Sequence, residues 1–170
     1  MGTAVLVEPR KLAVDSDQAF SRALGAVARK VGVPEGEITR RLRARDRMTW
    51  SRFRFELARE VGAILTERFP QIRSVHLWEL DEEVPEAPDA PAEPTLDVIL
   101  RMERIPAGLD DLAVGLGKEL ARALGSRVPD TPLVLTVHPL TRAMISGGKG
   151  MAALFRSVHQ QPALIWSSGS

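Results

Sequence analysis

Apolar residues recur at helical spacing over the first part of the chain and in alternation over shorter stretches further on. Phe20, Leu24, Val27 and Val31 lie four, three and four residues apart, the stripe of an amphipathic helix. Asp15, Ser16 and Asp17 offer N-cap oxygens at its start, and Gly32 with Pro34 stops it. A shorter helix follows through Ile38 and Leu42. A third, with Thr49 as its expected N-cap, carries Trp50, Phe53, Leu57, Val61, Ile64 and Leu65 along one side. It runs to about Phe69, where Pro70 closes it.

The period then changes. In IRSVHLWEL, Val75 and Leu77 alternate with Ser74, His76 and Trp78, a strand with both faces partly covered. LDVILRM (Leu96 to Met102) is too apolar for an edge strand, and PLVLTVH (Pro132 to His138) reads as a third strand. Between these two, Asp110 and Asp111 open a helix carrying Leu112, Leu116, Leu120 and Leu124, with Gly125 as its expected end. A helix through Met144, the turn SGGKG, a short helix through Leu154, Phe155 and Val158, and a final strand ALIW complete the order. The short first connection predicts antiparallel pairing of the first two strands, and the intervening helix predicts a parallel crossover to the third. We therefore expect an α/β (α+β) fold, a mixed sheet of about three to four strands packed with helices, plus an N-terminal helical hairpin. The expected divisions are a helix-turn-helix-like module over 1–48, an α/β core over 49–166 and a frayed tail over 167–170.

The composition is that of a globular chain: 170 residues, 44% hydrophobic and 26% charged, with a formal net charge of +1. It has no cysteine, which excludes disulfides, thiolate zinc sites and cysteine catalysis. The N-terminal residues match neither a signal peptide nor a myristoylation pattern, since Leu6 stands where Ser or Thr is needed. No apolar run approaches the ~20 residues of a membrane span. A cytoplasmic protein without membrane contact is the expectation.

Charge is segregated. Residues 1–60 hold thirteen Lys/Arg against eight Asp/Glu, whereas residues 76–100 hold eight Asp/Glu and no Lys or Arg. Within the acidic stretch, Pro85, Pro88, Pro91 and Pro94 fall three residues apart. That is the period of polyproline II, so residues 81–94 read as an extended, exposed, acidic loop whose proline edge is a candidate partner-binding surface.

From about Trp50 to Trp166 the order of elements resembles the minimal nucleotidyltransferases of the DNA polymerase β superfamily. FELAREVGAILTERFPQIRSVHLW is similar to that family's helix and first strand, EPTLDVILRME to its Asp-x-Asp strand, and PLVLTVHPLTRAMISGGKGMAALFRSVHQQPALIW to its third strand and tail. The resemblance implies a triphosphate-binding Gly-Ser, a carboxylate pair and a third carboxylate. Here Glu79-Leu80 replaces Gly-Ser, Thr95-Leu96-Asp97 replaces Asp-x-Asp, and the third carboxylate is expected near Leu133. Two-metal chemistry needs several carboxylates on hard cations, and only Asp97 survives as a catalytic candidate. The resemblance thus implies a nucleotidyltransferase-like fold without nucleotidyl transfer and without a cofactor. The alternative is residual transfer with magnesium and nucleotide, using Asp97 with Glu79, Asp81, Glu82 and Glu83.

Other constellations carry less. ALGAVARKVGVPEGEITRRLRAR has the shape of a helix-turn-helix, which makes Thr39, Arg40, Arg43 and Arg45 candidates for DNA contact. Its competing reading is a helical hairpin with arginines in water. SGGKG lacks the full phosphate-loop spacing and follows a helix, so an inter-helix turn is expected. His76 and His138 are expected as partly buried, hydrogen-bonded strand residues, and with His159 they lack metal-site clustering. The expected function is a non-catalytic regulatory or binding role, with DNA or a protein as partner and self-association left open.

Overall fold

A computed structural model describes residues 9–79, 91–156 and 161–169. The elements run α1 (Pro9–Val31), α2 (Glu35–Arg43), α3 (Arg47–Arg68), β1 (Ser74–Trp78) and β2 (Thr95–Met102). They continue with α4 (Leu109–Arg127), β3 (Val134–Thr141), α5 (Arg142–Gly147), a 3-10 helix (Gly150–Arg156) and β4 (Ala163–Ser167). Helices pack on one mixed four-stranded sheet of order β3-β2-β1-β4, as expected for the class. β1 pairs antiparallel with β2 and with β4, and β2 pairs parallel with β3, so both expected strand directions hold.

Several boundaries differ from the sequence reading, each for a physical reason. α1 begins at Pro9, not near Ser16. Ser16 lies fully buried in line with Leu12 and Phe20, so a serine interrupts the apolar stripe and hides the first two turns. Asp15 caps nothing there; its carboxylate takes Arg68 Nη2 at 2.9 Å. The N-cap of α3 is Asp46, not Thr49: the Asp46 carboxylate accepts from Thr49 N at 3.1 Å and from Thr49 Oγ1 at 2.6 Å. α4 passes through Gly125 to Arg127, because nothing there requires a left-handed residue. β3 runs on through Pro139 to Thr141, which an edge strand paired on one side tolerates. β4 includes Ser167, and Ser168 N donates to Arg73 O at 2.9 Å, so these two residues of the expected tail are tied to the fold.

The other punctuation works as read. Gly32 ends α1 with φ +80°, and α3 stops before Pro70. Within SGGKG, Ser146 and Gly147 end α5, Gly148 (φ +63°) and Lys149 make the turn, and Gly150 opens the 3-10 helix.

The core explains why the N-terminal helices sit where they do. Phe53 packs edge-on against Phe20 and Trp50, with ring centroids 5.6 and 5.7 Å away, and Trp50 Nε1 donates to Leu42 O at 2.8 Å. These contacts join α1, α2 and α3. The same cluster of buried side chains continues without a break into Val75, Leu77, Leu96, Val98, Leu100 and the leucines of α4. α3 approaches β1 closely, since a Cβ on Gly62 would lie 3.3 Å from Val75 Cγ1. Among the described residues no helix is long and apolar enough to cross a membrane.

Phe53 is fully buried at the meeting point of three helices. Phe53→Ala should lower unfolding free energy by about 3–5 kcal/mol in urea titration, with the loss split between transfer and cavity costs.

Candidate functional site

Strand alternation sends β2 in two directions. Leu96, Val98, Leu100 and Met102 face the helical layer, and Thr95, Asp97, Ile99 and Arg101 occupy the opposite face. Ile99 is covered there by a second small cluster with Leu140 and Ala152, flanked by Trp78, Ile145 and Phe155. Asp97 lies beside this cover, with its side chain 28% exposed. Its register partners are Trp78 on β1 and Thr136 on β3.

The sheet brings one polar pair together here. His138 Nε2 lies 3.0 Å from Asp97 Oδ1, a contact between two adjacent parallel strands. It is a hydrogen bond while the imidazole is neutral and an ion pair once protonated. The neighbouring positions that would have to supply more ligands do not. Thr95 offers a hydroxyl, and Thr136 stands exposed across from Asp97. Leu133, the expected place of the third carboxylate, precedes β3 and is buried in the main core. The residues of β3 nearest Asp97 are instead Thr136 and His138. Glu79 accepts from Ser51 Oγ of α3 at 2.9 Å. Leu80, Asp81, Glu82 and Glu83 lie outside the described residues. Among the described residues no three His, Asp or Glu side chains gather where they could hold a metal ion. A carboxylate–imidazole pair can hold or relay one proton; it does not by itself bracket two divalent ions.

Four positions were candidates for DNA contact. Arg40 forms a two-pronged pair with Glu37, at 2.9 and 2.6 Å, and Arg41 Nε reaches the same carboxylate at 3.0 Å. The hydrogen bond from Arg40, then that from Arg41, hold the Glu37 carboxyl well below the usual carboxylate range. Thr39 Oγ1 donates back to Gly36 O. Arg45, at φ +60°, turns away from α2: its Nη1 reaches Ala92 O at 3.4 Å and its Nη2 Asp130 O at 3.3 Å. Arg43 is exposed and makes no contact with a described residue that would occupy its charge. Sequence proximity therefore overstated the free positive charge on α2.

The proline edge also divides. Pro85 and Pro88 lie outside the described residues, as does His159. Pro91 is exposed, but Pro94 is buried and its carbonyl accepts from Val134 N at 2.9 Å, so it starts the sheet and does not extend an exposed edge.

Further along the same sheet face, His76 is buried between strands. Its Nε2 is 2.9 Å from Ser74 Oγ, its ring meets Phe155 edge-on at 4.8 Å, and its Nδ1 has no hydrogen-bond partner among the described residues. Burial first, and the nearby Arg101 charge second, push its pKa down from 6.5 to about 4. His138 is partly buried and hydrogen-bonded as expected, whereas His76 is buried outright with a hydrogen bond at Nε2. What alternation could not supply was the β2–β3 register that pairs His138 with Asp97.

Comparison with protein-family models, with curated proteins and with solved structures returns no match, so the site is read from its own geometry.

The His76 environment has a pH consequence. The unfolded chain takes up this proton near 6.5 and the folded chain only near 4, so acid favours unfolding across that window. Stability should be full above 6.5 and fall by up to about 3 kcal/mol as pH drops to 4. In urea titrations at stepped pH, His76→Gln should flatten this part of the profile.

Proposed function

We propose that this chain is a non-catalytic binding protein built on a nucleotidyltransferase-like arrangement of elements. The observation that carries this reading is the Asp97–His138 contact at 3.0 Å, with threonines at the two neighbouring positions on β2 and β3. The single carboxylate that matches the family's strand motif already has a partner from the protein. A divalent ion at Asp97 would have to displace that imidazole and complete its shell without a second carboxylate from β2 or β3. Asp97 acts instead as a cross-strand tie on the exposed side of the sheet.

The DNA reading has less support. Of the candidate side chains, Arg40 is neutralised by Glu37 and Arg45 is used to hold Ala92 and Asp130. Phosphate contacts supply most nucleic-acid affinity, and they need cations that are not already engaged.

Calorimetric titration with Mg·ATP and Mg·GTP tests the proposal. We expect no magnesium-dependent heat at millimolar nucleotide from the wild-type chain or from Asp97→Asn. The substitution should shift stability by no more than about 1 kcal/mol, as for a partly exposed pair. Magnesium-dependent binding that disappears in Asp97→Asn would overturn the reading in favour of residual transferase chemistry.

A further inference from the structure

A second polar feature lies at the other end of β2. A cavity of about 410 Å³ opens where β2 and β3 end and β1 begins, and it is bounded on one side by Ser167 and Ser168. Three arginines from three separate parts of the chain line it: Arg73 just before β1, Arg101 on β2 and Arg142 at the start of α5. Arg101 is four residues past Asp97, roughly 13 Å along the strand, so this cleft and the Asp97–His138 pair are different places.

The charges in the cleft are unequal. Among the described residues one carboxylate, Glu103, faces three guanidinium groups, and it is paired with Arg73. Arg101 lies over the Phe155 ring, 5.4 Å from its centroid, a contact that orients the guanidinium without neutralising it. Arg142 is exposed and has no ion pair or hydrogen bond with a described residue. Among the described residues about two positive charges are therefore uncompensated around one concavity, and all three guanidinium groups are exposed and open to an incoming anion. Arg101 also stands close enough to His76 to disfavour its protonation.

We propose that this cleft binds a small phosphate-bearing anion carrying two or more negative charges, through Arg101 and Arg142 with Arg73 at its rim. The inference rests on the reading of the chain as a binding protein. Guanidinium forks match phosphate oxygens in pairs, and the hydroxyl of Ser167 adds a neutral donor beside them. The volume suits a small molecule, being near the lower end of the range for such sites. Among the described residues no aromatic ring lines the cleft, which directs recognition to the phosphate. The cleft lies at the carboxyl ends of the parallel pair β2 and β3.

The test is calorimetry on the whole chain in magnesium-free buffer, with inorganic pyrophosphate and glycerol phosphate as probes. We expect at least one probe to bind, more weakly as salt rises, with affinity reduced about tenfold or more in Arg142→Gln and in Arg101→Gln. Binding of both probes would assign the site to phosphoryl groups in general, and pyrophosphate alone would assign it to inorganic or terminal diphosphate. Arg142 is exposed, so its variant should fold normally, and circular dichroism checks this. No heat from either probe at millimolar concentration, or heat unchanged in both variants, would overturn the inference. Neither outcome touches the non-catalytic reading, which fails only on magnesium-dependent nucleotide binding that Asp97→Asn removes.

Discussion

The path of the chain out of its acidic, proline-rich stretch and into the sheet is governed by the buried side chain of Arg54. This residue projects from α3, is only 4% exposed, and donates from Nε to Thr95 O at 2.8 Å and from Nη2 to Glu93 O. Its guanidinium also sits over the Trp50 ring, 5.7 Å from the centroid. A charge taken that far out of water is tolerable only if its donors are occupied, so Arg54 and the backbone at 93–95 hold each other in place. Arg45 repeats the device one layer away, through Ala92 and Asp130. Together they fix where β2 starts. Once its first residue is set, strand alternation decides which face Asp97 and Arg101 occupy.

This explains how a chain rich in arginine near its N-terminus leaves so little of that charge available. Arg45, Arg54 and Arg68 reach across to other segments, and Arg40 and Arg41 converge on one glutamate. A further group of arginines gathers at the far end of β2, from residues widely separated in sequence. A local count of Lys and Arg therefore misses a cluster that only the fold assembles. Counterions from the fold itself matter more than density along the chain.

The sheet face bearing Asp97 is used unevenly. One end holds a carboxylate joined to an imidazole, the middle is closed by Ile99 under the 3-10 helix, and the other end opens between arginines. His76 lies in the closed part, where burial and a neighbouring cation favour its neutral form.

Much of this architecture was legible in the residues alone. Leucines at helical spacing in α4, alternation around Val75 and Leu77, and the stops at Gly32 and Pro70 specify elements through local geometry and the burial of one face. The mixed sheet followed from connection lengths. Ser16 and Pro139 misled because each breaks a local pattern while tertiary context tolerates it: one is sealed inside the core, the other sits on an edge strand. The absence of a carboxylate two residues before Asp97 was equally readable, since Thr95 stands there. Which group would meet Asp97 was not. Leu133 and His138 are five residues apart, and only the register of two parallel strands placed one in the core and the other at 3.0 Å from the carboxylate. The arginine cleft belongs to the same category, because its three cations come from segments that share nothing in sequence. Periodicity is a property of neighbours along the chain, whereas charge pairing and cavity shape depend on distances that exist only after the layers have packed.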